Sequence, residues 1–408
     1  MKIEIKHIWF LFTIVLFVSV FFRIKIIHEL PLGITANEYG LTGFDDEPAH
    51  YNYTKFILAE NKLPVLKNKI TDPDALIINE FEYHQPPLYY VFIATIAQVF
   101  SITSDRSILL LGRYVNFILA ILSIIIFYKI FLLFKWSTSK ILSAISIYLL
   151  LGSSVYQFSV FGNDGISWFL LWLLFLLILN GVSKNWISII ITITLLHYTK
   201  SSVLVLYPVI LFSAYWSFVK NGFSKFLVIK YLSIFILPII LAFPWYLHNY
   251  NSYGNYFSIS TITGDSWYFV GSLKESILKL FHMPYLFLYR MHFDPPKPLL
   301  SWFNYIPNIW LLVTGVYWIV KSKSLLTENY NVQLINILLI SMVGAYLYYA
   351  IPTGYTEGRL LYPGLPAILY FMTEVLFHKK INALFAKGWQ LGFIILVFLP
   401  SYIIGFYF

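Results

Sequence analysis

The sequence contains no cysteine. That excludes disulfides and thiolate metal sites and leaves the compartment unreadable from redox chemistry. Charge is also scarce: Asp, Glu, Lys and Arg make up 12% of the 408 residues, about half the share of a soluble domain. The net charge of +9 would suit a nucleic-acid partner only if the cations clustered. No dense Lys/Arg block is present, and the charges instead punctuate apolar runs. Phosphate-loop and dinucleotide fingerprints are missing, so no nucleotide site is recognisable. The first apolar run, IWFLFTIVLFVSVFF, has no small-residue cleavage site and is followed by Arg23 and Lys25. It is expected to stay as an anchor.

Apolar and aromatic residues fill the space that charge leaves, at 59% and 20%. Runs near or above the ~20 residues needed to cross a bilayer recur along the whole chain. Spans are placed near 8–27, 113–134, 141–157, 165–182, 186–199, 201–219, 226–247, 304–320, 333–351, 361–377 and 388–408, about eleven by this criterion. The pattern predicts an all-α polytopic membrane protein with a single membrane-embedded domain over 1–408. From a cytoplasmic N-terminus, alternation puts Lys135 and Lys140, Lys184, Lys220 and Lys225, Lys321 and Lys323, and Lys379, Lys380 and Lys387 in inside loops, as the positive-inside rule asks. The same alternation sends 28–112 and 248–303, the only long loops, to the outer side, where function is expected to concentrate. Within the first of them, PPLYYVFIATIAQVF is short for a crossing and is read as a helix lying in the outer interface.

The first outer loop opens with GFDDEPAHY, which sets Asp45, Asp46 and Glu47 side by side. Asp45 or Asp46 could cap a helix whose first turn holds Pro48, with Ala49, Tyr53, Phe56 and Ile57 on one face. Three adjacent carboxylates near lipid also repel one another unless a cation, a metal or a proton is shared among them. Such a cluster suits base catalysis or metal binding. Consecutive helical residues point about 100° apart, so all three cannot aim at one substrate.

Four motifs in order, DDEPAH, HQPPLYY, FGNDGIS and EGRLLYP, resemble those of the GT-C fold membrane glycosyltransferases, the group that includes protein O-mannosyltransferases and lipid A aminoarabinose transferases. PWYLHNYNSYGNYF is similar to a pattern found in many bacterial members, with His248 standing where Arg is usual. The resemblance implies a GT-C-like bundle. It further implies an enzyme that moves a sugar from a polyprenyl-phosphate carrier to an acceptor hydroxyl on the outer face of the membrane, with inversion. The family's base matches Asp46, which Glu47 follows, and Asp45 is an additional acid beside it. Aminoarabinose transferases place a Lys before the proline of the second motif; Gln85 stands here, so that phosphate contact is not carried over. Some relatives hold a divalent metal between the first-loop acids and the second-loop Asp, here Asp46 and Asp164, and hard oxygen ligands suit Mg²⁺ or Mn²⁺.

A departing lipid phosphate needs fixed positive charge. Arg359, Lys200, Arg113 and His84 are the candidates, each with a plainer reading. Arg359 could grip a phosphate or snorkel to the interface. Lys200 lies between two apolar runs on the side where positive charge is sparse, and Arg113 begins a span, where it could be a topology anchor. Asp164 also fits turn chemistry before a helix start. The aromatic loop 248–303 could stack on sugars or settle in the interface. The resemblance implies a bacterial inner-membrane protein with its site facing the periplasm or exterior, a polyprenyl-phosphate sugar donor, and a lipid, glycan or protein acceptor. A transporter or flippase for lipid-linked sugars is the competing reading; charges deep inside spans would favour it.

Overall fold

The computed structural model describes residues 2–30, 46–66, 81–256, 309–321, 329–353, 358–379 and 390–407. Every regular element among them is helical. In chain order these are α1 (Lys2–Glu29), α2 (Glu47–Glu60), α3 (Leu88–Val99), α4 (Asp105–Leu133), α5 (Thr138–Leu150), α6 (Gly152–Gln157), α7 (Asp164–Leu179), α8 (Val182–His197), α9 (Tyr207–Asn221), α10 (Lys225–Tyr253), α11 (Ile309–Lys321), α12 (Tyr330–Thr353), α13 (Leu365–Leu376) and α14 (Gln390–Tyr407). Short 3₁₀ turns run over Phe81–His84, Ser201–Leu206 and Gly358–Gly364.

Among the described residues each expected span overlaps helix, with 141–157 divided between two helices and 201–219 and 361–377 opening in 3₁₀ turns. By length and apolar composition, five are suited to cross a membrane: Lys6–Glu29, Asp105–Leu133, Val203–Asn221, Lys225–Tyr253 and Tyr330–Tyr348. The ends carry the expected punctuation. Ser104, Ser137 and Ser224 cap α4, α5 and α10 by accepting from the main-chain N–H groups of Ser107, Lys140 and Leu227, which satisfies one otherwise orphaned donor each. Gly254 closes α10 at φ 70°, a conformation that favours glycine.

Two boundaries differ from the hydropathy reading. Helix α4 begins at Asp105, about two turns before Arg113, because Ser104 supplies a cap and Asp105 an acidic first turn. Arg113 therefore lies inside the helix and does not begin it. The 141–157 stretch breaks at Leu151, whose ψ of 115° separates α5 from α6. Helix α3 covers the segment read as interfacial. At 12 residues it extends about 18 Å, short of the ~30 Å hydrocarbon layer. One edge of α3 buries Tyr89, Tyr90, Ile93, Ala94 and Ala97, while Val91, Phe92 and Val99 stay exposed.

The main core gathers around Trp172, whose ring lies 4.8 Å from Phe127 and whose Nε1 donates to the Tyr362 carbonyl at 3.0 Å. A second core joins α2, α3, the start of α4 and Phe161, with Tyr53 stacked on Tyr90 at 3.9 Å. Long-range contacts show which helix ends share a side. Lys140 pairs with Glu374 at 2.6 Å, Lys230 donates to the Ser183 carbonyl at 2.9 Å, and Asn331 donates to the Leu133 carbonyl at 3.2 Å. These bring the starts of α5, α8, α10 and α12 together with the ends of α4 and α13. At the opposite end lie the start of α2, the turn before α7 and the residues after α8.

Candidate functional site

Pro48 occupies the first turn of α2, and Asp46 stands at its N-cap position with φ −72° and ψ −8°. This backbone is already helical, and the Asp46 side chain makes no capping hydrogen bond, so the expected cap by this residue is not realised. Asp45 lies outside the described residues. The Asp46 carbonyl accepts from the His50 N–H at 3.0 Å, and the four-residue spacing puts both side chains on one face. Glu82 reaches them from the 3₁₀ turn Phe81–His84. One ligand atom from each of Asp46, His50 and Glu82 lies within 4.8 Å of the others.

His50 is anchored from behind: its Nδ1 is 2.6 Å from the Tyr90 hydroxyl, and the two rings stack at 5.7 Å. Burial pushes its pKa below the ordinary imidazole value; Glu82 and Asp46 pull it up and Lys200 pulls it down. The neutral ring is the form that ligates a metal. Gly162 stands against the other edge of the ring. A Cβ there would come within 3.3 Å of His50 Cδ2 and 3.6 Å of Nε2. With Nδ1 engaged by Tyr90, Nε2 is the available donor, and the set of two carboxylates and one imidazole fits a divalent ion.

Glu47 points elsewhere. Its Oε1 accepts from Arg113 Nε at 2.7 Å and from the Phe161 N–H at 2.6 Å, and its Oε2 accepts from Arg113 Nη2 at 2.6 Å. Arg113 Nη1 donates to the carbonyls of Ile27 and Leu30, at 2.8 and 2.9 Å. Both side chains are sealed from solvent. The arginine thus satisfies the open carbonyl end of α1 while its fork grips a carboxylate side-on.

Asp164 opens α7 and is ion-paired with Lys200. Of the pair, Asp164 is buried, whereas the Lys200 side chain keeps 30% exposure. Neighbouring Asn163 donates to Gln85 Oε1 at 3.4 Å and to the Thr199 carbonyl at 3.3 Å. Its Oδ1 is buried without a partner among the described residues. The Gln85 carbonyl accepts from Tyr53, and the Leu88 N–H donates to the Tyr198 carbonyl at 2.8 Å. HQPPLYY, GNDGIS and the Lys200 segment are therefore tied into one surface.

The structure thus brings together Asp46, His50 and Glu82, with Asp164 and Lys200 close enough to act on the charge of His50. It places Arg113 and Glu47 in a sealed pair. His84 sits beside the site, 3.3 Å from the Gln85 amide nitrogen. Arg359 falls in the turn Gly358–Gly364, and its side chain lies outside the described residues, as do residues 257–303 of the second long loop. His50 and Glu82 were not among the residues singled out by sequence. The spacing of Asp46 and His50 was a usable signal for the first; Glu82 carries none.

Over 97% of its length the chain is similar in structure to the Archaeoglobus fulgidus oligosaccharyltransferase in the apo form, with a TM-score of 0.53 and 13% sequence identity. The same enzyme in complex with Zn and sulfate matches 96% of the chain with a TM-score of 0.52 at 13% identity. The oligosaccharyltransferase AglB from A. fulgidus in complex with an inhibitory peptide and a dolichol-phosphate matches 97% with a TM-score of 0.52 at 14% identity. The chain spans about half the length of these structures, covering 55%, 52% and 55% of them. No family model and no curated protein matches it. At this identity the likeness is one of fold, and it bears out the GT-C architecture that the motifs resemble.

Proposed function

We propose that this protein is a membrane glycosyltransferase that moves a sugar from a polyprenyl-phosphate donor to an acceptor hydroxyl, with inversion at the anomeric carbon. The observation that carries this reading is the gathering of Asp46, His50, Glu82, Asp164 and Lys200 at one end of an apolar bundle of this fold. The solved relatives are named as oligosaccharyltransferases, one of them bound to a dolichol-phosphate, which supports a lipid-linked donor.

In the proposed reaction Asp46 takes the proton of the acceptor hydroxyl as its oxygen bonds to the anomeric carbon. The bond from that carbon to the phosphate oxygen breaks, and its electron pair leaves with the lipid phosphate. A well-placed carboxylate base contributes about 10²- to 10⁴-fold. Lys200, oriented by Asp164 and with a partly exposed side chain, would face the growing negative charge. Asp46, His50 and Glu82 would hold a divalent ion, which would add a fixed positive charge against the departing phosphate. An imidazole in the set favours Mn²⁺ or Zn²⁺ over Mg²⁺, and a relative has been solved with Zn. The buried Oδ1 of Asn163, without a hydrogen-bond partner among the described residues, would supply an acceptor for a sugar hydroxyl. We place the site on the periplasmic or exterior face of a bacterial inner membrane, opposite the lysine-rich helix ends.

The test is transfer by the purified protein in liposomes, with radiolabelled polyprenyl-phosphate sugars and a membrane extract as acceptor. Label bound covalently to an acceptor is the expected result. Label that crosses the bilayer still attached to its lipid would replace this reading with a flippase.

A further inference from the structure

Asp46 and Asp164 belong to segments more than a hundred residues apart, yet both segments are tied to the same sealed ion pair. Glu47 directly follows Asp46. Phe161, whose N–H donates to Glu47, is three residues before Asp164. We propose that Glu47 and Arg113 form a positioning clamp that sets Asp46 and Asp164 relative to one another, and that neither touches substrate. This inference rests on the proposed function, in which the two aspartates act at one site.

The clamp joins four pieces of chain. Arg113 on α4 holds the start of α2 through both Glu47 oxygens and the end of α1 through the Ile27 and Leu30 carbonyls. Glu47 in turn holds the 160–162 turn through Phe161. Asn116, one helical turn beyond Gly112, grips the same turn from α4 by donating to the carbonyls of Val160 and Gly162, at 2.7 and 2.9 Å. The turn is pinned at three consecutive residues, and Asp164 follows it at the start of α7.

Two features argue that the pair positions the site and does not bind a ligand. Arg113 and Glu47 side chains have 1% and 0% exposure, and the arginine fork is directed at protein groups. The close approach that seals them is also built in: a Cβ on Gly112 would lie 2.2 Å from Phe161 Cδ2, so α4 can meet the Phe161 ring only because glycine stands there. A dry ion pair is a poor source of net stability, since desolvation offsets much of its attraction. Its geometric selectivity is the property that remains. The residues beside a metal or catalytic group typically matter about 10- to 100-fold through orientation alone.

The chain has no cysteine, so labels can be introduced without removing native thiols. Nitroxides at Ala59→Cys on α2 and Leu204→Cys, on the turn packed against α7, both exposed, report the separation of the two elements by pulsed electron resonance. The expected result is a narrow distance distribution that Glu47→Gln and Arg113→Lys each broaden. Both should lower kcat for transfer about 10- to 100-fold and leave KM for the donor little changed. Asp46→Asn should remove transfer and keep the distribution narrow. A narrow distribution in both clamp variants, with KM for the donor raised in Arg113→Lys, would overturn the proposal and make Arg113 a phosphate ligand. Should Glu47→Gln fail to fold, Arg113→Lys, which keeps the cation, decides on its own. Should the labelled native chain transfer no sugar, the proposed function fails, and the distance distributions still judge the clamp.

Discussion

At the lysine-rich end of the bundle, Lys140 and Glu374 pair while partly exposed, at 16% and 24%, and the Lys140 ammonium also sits 4.4 Å over Trp136. At the other end, Arg23, Glu47, Glu82, Arg113 and Asp164 are buried. Charge at a helix end near water costs little and serves orientation in a membrane. Buried charge carries a desolvation cost and persists where geometry or chemistry requires it. The contrast teaches that one end of the molecule is selected for placement in the bilayer and the other for a fixed arrangement of groups.

Removing one member of a buried pair should break that contrast most strongly. Arg113→Ala strands the Glu47 carboxylate and two main-chain carbonyls, those of Ile27 and Leu30. It is expected to cost about 3–5 kcal/mol, measured by denaturant unfolding in mixed micelles, with loss of transfer. His50→Ala sharpens the comparison inside the site. It removes one ligand and leaves the clamp intact, so Mn²⁺ affinity, read by titration with electron resonance, should fall about 10- to 100-fold, while the lost Tyr90 contact costs about 1–3 kcal/mol, less than Arg113→Ala. Lys140→Met at the lysine-rich end removes the ammonium from Glu374 and from the face of Trp136 and should cost about 1 kcal/mol or less, with transfer unchanged. A cost as large as that of Arg113→Ala would erase the distinction between the two ends.

The helices were legible because an apolar run is a local signal, readable without any tertiary contact. Among the described residues each expected span overlaps helix, and the short apolar segment after HQPP is α3, packed on α2. The boundary of α4 was missed because its cap, Ser104, precedes the apolar run by several polar residues, and hydropathy does not register a cap. Asp46 could be picked out because three adjacent acids are conspicuous in a chain this poor in charge. Its partners were harder to read. His50 repeats one helical turn later, a spacing that carries information, whereas Glu82 arrives by tertiary folding alone. The pairing of Glu47 with Arg113, 66 residues away, has no sequence period to reveal it. The same holds for Asp164 and Lys200, which could be singled out one by one but not joined.

The central claim is that Asp46 is the base of a sugar transfer and not part of the scaffold. The most direct measurement compares wild type with Asp46→Asn in the labelled-donor transfer assay, with unfolding followed on the same samples. The account predicts a loss of about 10²-fold or more in transfer, with the unfolding transition unchanged. Transfer at the wild-type rate by Asp46→Asn, or its collapse together with the fold, would contradict it.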